Sequence, residues 1–177
     1  MAKTSSIDPL VAQAEHTLEQ VYLPRIVSCL AQLSPEQIWW RPNVASNSVG
    51  NLVLHLTGNV RQWIISGLGG APDVRQRDRE FAERGPLPRR LLVSRLRQTV
   101  REACRVLRRL SPADLARVHA IQKYRASGAE ATFHVAEHFS HHAGQIILLT
   151  KMLTGSDLKF THLPGEKKRK TRKLPAL

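Results

Sequence analysis

The stretch AEATFHVAEHFSHHAGQIILLTKMLTG, residues 129–155, decides how the rest of the chain is read. Its spacing predicts one long helix carrying four of the chain's eight histidines. At about 100° per residue, His134, His138, His141 and His142 fall within roughly a 100° arc, and Gln145 joins them. Val135, Phe139, Ile146 and Leu153 line the adjoining arc, so this side of the helix turns inward. His138 and His142 stand one turn apart on one face, the spacing at which two imidazoles grip a single cation. Two ligands do not make a tight site. A third must come from elsewhere, and His55 is the best donor.

A chain of 177 residues is enough for one domain with a proper core. No apolar run approaches the ~20 residues a membrane span needs, so no membrane contact is expected. The opening MAKTSSIDPL has neither an apolar stretch nor a cleavage pattern, and a cytoplasmic protein is expected. Cys29 and Cys104 lie inside helical patterns and read as buried small hydrophobes, too few for a disulfide framework.

The net charge is +13. The segment GEKKRKTRKLPAL supplies net +5 of it, through Lys167, Lys168, Arg169, Lys170, Arg172 and Lys173 against Glu166. Arginines between Arg75 and Arg109, interleaved with Asp78, Glu80, Glu83 and Glu102, supply most of the remainder and read as a solvated helix face. The tail could touch a polyanion by counterion release. It has no aromatic residue for base stacking, and a solubilising tail is the blander reading.

Residues 5–33 read as a first helix, with Asp8 as cap and Pro9 in the first turn. Pro24 should kink it or break it in two. Ser34-Pro35-Glu36-Gln37 starts a short turn, followed by Trp39-Trp40-Arg41-Pro42-Asn43. A second helix opens at Asn47 or Ser48 and stops at Gly67. Beside its apolar arc runs a stripe of Asn51, His55, Asn59, Gln62 and Ser66, without a Lys or Glu among them. In so charged a protein, an uncharged polar stripe near the core suggests a lined pocket. Residues 71–88 form a long charged connection with a short helix at 76–84. Residues 88–110 are the third long helix, and 119–127 are irregular with some β character in 118–121. Four long helices with long crossing links make an all-α four-helix bundle.

Residues 47–56 (NSVGNLVLHL) and 134–145 (HVAEHFSHHAGQ), with WWRPN at 39–43 and RQWI at 61–64, resemble the DinB/YfiT-like metal-binding four-helix bundles, and within them an uncharacterised branch. The resemblance covers about residues 7–163. It implies a DinB-like bundle with long crossover connections over residues 1–165, leaving 166–177 as a basic tail that inherits nothing. Carried over, the family's single ligand on the second helix falls on His55, and its His-x-x-x-His pair falls on His138 and His142. His134 and His141 have no ligand role in that pattern. They either orient ligands or are ordinary partly buried histidines.

Three neutral imidazoles suit one divalent ion, Zn²⁺, Ni²⁺ or Fe²⁺, with a coordination position left open. Such an ion lowers the pKa of a bound water or thiol. The wider superfamily includes thiol-dependent transferases and hydrolase-like members. The resemblance therefore implies a metal-dependent enzyme, transferring a low-molecular-weight thiol onto a small-molecule electrophile, or a hydrolase. Asn51, Asn59, Gln62 and Gln145 would line the substrate pocket, and Trp39 or Trp40 would close the cleft. No general base is evident, since Glu137 lies off the ligand face and Glu130 stands two turns before His138. Two other readings stay open: a non-catalytic metal or small-ligand binder, and a nucleic-acid partner working through the tail. Superfamily members are often dimers, and Leu54 with Ile65 marks an apolar strip compatible with a homodimer and equally with a wide core.

Overall fold

The computed structural model describes residues 7–161, so the basic tail expected at 166–177 lies outside the described residues. Asp8 opens the first rod by accepting the Leu10 N–H at 2.8 Å. Pro9 occupies the first turn, where its missing N–H leaves no bond unmade. From there α1 (Pro9–Glu15), a π-helical segment (His16–Tyr22) and α2 (Leu23–Gln32) run on as one rod. Of the two outcomes expected at Pro24, the break does not occur. The wider π turn immediately before it, closed by the Leu23 N–H on the Leu18 carbonyl, makes room for the ring.

The short helix α3 (Pro35–Trp39) leads to the second rod, α4 (Val49–Val60) with a π-helical continuation, Arg61–Ser66. The long connection that follows contains α5 (Arg77–Ala82) and delivers the chain to the third rod, α6 (Arg89–Leu107). Then come α7 (Pro112–Ala116), β1 (Val118–Ile121), β2 (Tyr124–Ser127) and the fourth rod, α8 (Gly128–Thr154). Residues 119–127 are more regular than expected. They complete an antiparallel hairpin pairing Val118 with Ser127 and Ile121 with Tyr124. Its two-residue turn needs a positive φ, supplied by Gln122 at 56°.

One local device starts four of these helices. Ser34, Ser48, Ser111 and Ser127 each accept the backbone N–H three residues on, and Gln37, Asn51, Asp114 and Glu130 return a side-chain bond to the serine N–H. Such capping boxes satisfy two orphan donors each, and loss of a cap serine costs about 1 kcal/mol. Gly155, at φ 61°, ends α8 in the left-handed conformation that favours glycine.

In the core, α8 packs on α1, α2 and α4, and α4 also packs on α6. Phe139, Val135 and Ile146 of α8 meet the buried arcs of the other rods, including Ile26, Leu30, Leu56 and Leu96. Full burial of side chains of this size stabilises by roughly 1.5–3 kcal/mol each. Cys29 and Cys104 are free and buried within this core. Ile65 is buried there too, and Leu54 packs against its edge. No described helix is long and apolar enough to cross a membrane.

Candidate metal centre

The uncharged stripe of α4 turns inward. Asn51, His55, Asn59 and Gln62 are all buried, and the histidine face of α8 lies against them. His55 meets His138 and His142, each with ring centroids 5.0 Å away, and Trp63 meets His134 at 4.1 Å. Residues later on α4 thus meet residues earlier on α8, so the two rods run antiparallel through the site.

The structure brings His55, His138 and His142 together, with one ligand nitrogen of each within 4.8 Å of the others. His55 Nε2 and His138 Nε2 are 2.9 Å apart. Two nitrogens held at about 2.0–2.1 Å from one ion lie roughly 2.9–3.4 Å apart, depending on the ligand angle.

The Nδ1 atoms explain why Nε2 faces inward. His55 Nδ1 is 3.0 Å from Glu80 Oε2. Arg75 Nη2 also lies 3.1 Å from that nitrogen but directs a hydrogen to Glu80 Oε2 at 2.8 Å. The carboxylate is the acceptor that the Nδ1–H requires, which leaves the Nε2 lone pair for an ion. His142 Nδ1 is likewise 2.7 Å from Gln145 Oε1, which fixes the same tautomer by an i, i+3 contact along α8. Metal-bound imidazoles generally need such an acceptor on the second nitrogen.

Electrostatics favour the neutral form of the three α8 histidines His134, His138 and His142. Burial, followed by the charges of His142, His55, His134 and Arg75, pushes His138 down to about 3. Burial also lowers His142, against the opposing bond to Gln145, with His55 and His141 adding to the depression. His134 is lowered by burial, with Glu137 opposing. Neutral imidazoles are the form that binds metal. Burial would raise Glu80, but the hydrogen bonds and charges of Arg75 and His55 win and hold it below the usual carboxylate range. The donor set fits a borderline ion such as Zn²⁺, Ni²⁺ or Fe²⁺, and three ligands leave a position open.

Arg75 and Glu80 are the functional residues that sequence reasoning missed. They do not belong to a solvated face: their side chains are 5% and 11% exposed, joined by two bonds of 2.8 Å. The third arm of Arg75 reaches Gln62 Oε1 at 2.8 Å. The signal that could have found them is Gly58, one turn from His55. A Cβ there would collide with the Glu80 carboxylate, so the bare backbone is what lets the connection dock on α4. Phe81, from the same short helix, closes over His55 with ring centroids 4.7 Å apart.

The other expected pocket residues divide. Asn51 completes a cap instead of facing a ligand: its Nδ2 donates to the Glu80 and Glu83 carbonyls at 2.8 and 2.9 Å, and its Oδ1 accepts from Arg41 at 2.8 Å. Gln62 is likewise occupied, accepting from Arg75 and Gln122 and donating to Asp73 Oδ2 at 2.7 Å. Gln145 is exposed and ties His142 to His141, whose Nε2 lies 3.3 Å from its Nε2. His141 itself is exposed. His134 is sandwiched between Trp63 and His138, the latter pair stacked at 5.4 Å. Asn59 Oδ1 is buried with no hydrogen-bond partner. Neither tryptophan of the Trp39-Trp40 pair stacks on these histidines. Trp39 fills the space between Gly50 and Gly85, and Trp40 is 41% exposed. The indole at the site is Trp63, 4.1 Å from His134 between ring centroids.

The helical architecture is similar to that of solved DinB-like proteins. A DinB-like protein from Bacillus cereus ATCC 10987 is similar at TM-score 0.59 and 15% identity, over 76% of this chain and 87% of that one. A DinB-like protein, YjoA, from Bacillus subtilis is similar at TM-score 0.60 and 18% identity, over 92% and 100%. The chain belongs to the DUF1572 family, described as a protein of unknown function, whose model matches residues 11–167. No curated protein matches the chain.

Proposed function

We propose that this protein holds one divalent metal ion on His55, His138 and His142, and that it is a metal-dependent transferase of a small thiol. The carrying observation is the paired tautomer control. Glu80 and Gln145 hold the Nδ1 atoms of His55 and His142, which leaves both Nε2 lone pairs for an ion, that of His55 directly opposite His138. A packing cluster has no need of that arrangement.

An ion with an open position supplies acidification of a thiol or water bound there. The chain's own residues supply the surroundings. Phe81 and the Trp63–His134 stack exclude water from two sides, and Arg75 holds Glu80 ionised. Among the described residues, Glu80 is the one carboxylate hydrogen-bonded to any of the three histidines, and it is committed to His55 and Arg75. Glu130 caps α8 through Ser127, and Glu137 is exposed. Without a free carboxylate base, thiol transfer suits the site better than hydrolysis. The thiol gives its proton to solvent, and its sulfur forms a bond to carbon as the electrophile's leaving group departs with the electron pair. A cleft of about 290 Å³, with Gln145 and Leu148 on one wall and Asn47 and Leu52 on the other, is the place for that electrophile.

The test is metal analysis of untagged protein, wild type beside His138→Ala. About one ion per chain in the wild type, lost in the variant, is expected. Absence of metal from both would remove the metal and enzyme reading together.

A further inference from the structure

On α4, Asn59 stands one turn beyond His55, and Gln62 and Trp63 follow in the π-helical continuation. The helix widens to π geometry from Arg61, which brings Trp63 nearly above Asn59 and leaves Gln62 to one side. Those two neighbours mark the two walls of the site. Gln62 belongs to the wall of Arg75 and Gln122. Trp63 belongs to the wall of His134 and Tyr124, at 4.1 and 5.9 Å between ring centroids. Asn59 therefore continues the buried face of His55 toward Trp63, on the opposite side of His55 from Asn51 and the Gln145 cleft.

The residue is 4% exposed, and its Oδ1 has no hydrogen-bond partner. A buried carbonyl left unpaired destabilises the fold, and such groups in native structures call for an explanation. Every other amide near the centre has one: Asn51 caps α4, Gln62 holds Arg75, and Gln145 orients His142. Asn59 alone has its acceptor free.

We infer that Asn59 is a ligand subsite, receiving an N–H or O–H of the molecule that occupies the open coordination position. This rests on the metal-site reading above. A thiolate sulfur has no proton to give, so the donor must stand elsewhere on the same molecule. Asn59 reaches about one helical turn from His55, which is the reach of a hydroxyl or amine two carbons from sulfur. The thiols selected are those with a donor at that position, and simple alkanethiols are disfavoured. Asn59 is a specificity determinant and takes no part in bond-making.

The experiment uses the full chain loaded with cobalt(II), and two probes of matching shape, 2-mercaptoethanol and 1-propanethiol. Binding of each is read from the sulfur-to-cobalt charge-transfer band for wild type, Asn59→Leu and Asn59→Ala. The wild type is expected to favour 2-mercaptoethanol over 1-propanethiol by roughly threefold to tenfold more than either variant does, the worth of one hydrogen bond. Comparing the ratio across variants cancels the intrinsic difference in thiol acidity. Asn59→Leu is also expected to melt at or above the wild-type temperature, because it removes an unpaired amide. If it fails to fold, the alanine variant gives the same comparison. Equal preference in wild type and variants, with cobalt bound, overturns the Asn59 subsite alone. A wild type that takes up no cobalt overturns the metal reading and the subsite with it.

Discussion

Glu80 Oε2 lies 3.0 Å from His55 Nδ1, and this contact joins the connection between the second and third rods to the centre of the bundle. It couples two functions in one carboxylate: Glu80 sets the tautomer of His55 and neutralises the buried Arg75 guanidinium.

Replacing Glu80 with Gln keeps the size and an acceptor oxygen but removes the charge. Metal affinity is expected to fall about 10- to 100-fold, the usual effect of losing a carboxylate behind a ligand histidine. Hydrogen bonds to charged groups contribute about 1.5–3 kcal/mol, so the metal-free protein should also melt several degrees lower. Competition with a chelator and a thermal scan read the two effects separately. Unchanged affinity would mean that the His55–Glu80 contact is structural only.

Gln145 offers the complementary case, because its side chain is exposed and its removal leaves no hole. Gln145→Ala should stay within about 0.5 kcal/mol of wild type in stability. Its metal affinity should nevertheless drop about tenfold or more as His142 loses its Nδ1 acceptor. His141→Ala is the control. That ring only sits edge-on to His142 at 5.1 Å and shares Gln145, so it should leave affinity near wild type. Equal losses in the two variants would argue for a general surface effect.

The two cysteines are expected to be inert while the protein is folded. Burial, then the negative charges of Glu19 and Glu15, push the Cys104 thiol up to about 12. Cys29 is also raised by burial, with its hydrogen bond to Thr150 opposing. A thiolate-selective reagent at pH 8 should label neither in native protein and both in denaturant. The linkage sign follows from the protonated thiol being favoured by folding. Its contribution is complete below the unfolded thiol pKa, near 9, and is lost as pH rises toward about 12. Denaturation midpoints should therefore decline above pH 9, and less steeply in Cys104→Ala. Rapid native-state labelling at pH 8 would contradict the burial.

The fold and the three histidines were legible in the sequence because each follows from periodicity. His138 and His142 share a face by spacing, and the capping serines stand directly before their helices. The neutral stripe on α4 betrayed a buried face by lacking charge. What periodicity cannot show is which residue of an irregular segment folds back. Arg75 and Glu80 look like their solvated neighbours Arg77 and Arg79, and only the tertiary path places one pair inside and the other outside. The roles of Asn51 and Gln62 were hidden for the same reason, since their partners come from that connection. Which of the indoles would stand beside the histidines was hidden as well, because an indole packs equally well in a core or beside a site.

Gly58 makes the dependence on that connection testable from the α4 side. A Cβ at this position would overlap Glu80 Oε1 and crowd Arg75 Nε. Helix propensity alone favours alanine over glycine by about 1 kcal/mol, so an exposed glycine in its place would be stabilised by the change. Gly58→Ala should instead push Glu80 off His55 and open the Arg75 pair, weakening metal binding while the four rods stay folded. Far-ultraviolet circular dichroism near wild type, with chelator competition shifted at least tenfold, is the expected pairing. Restoring space with Gly58→Ala/Glu80→Asp should recover part of the affinity, because the shorter carboxylate withdraws from the new methyl. A single variant that binds metal as tightly as wild type would show that Glu80 can hold His55 from a second position, and that the close approach at Gly58 does not govern the site.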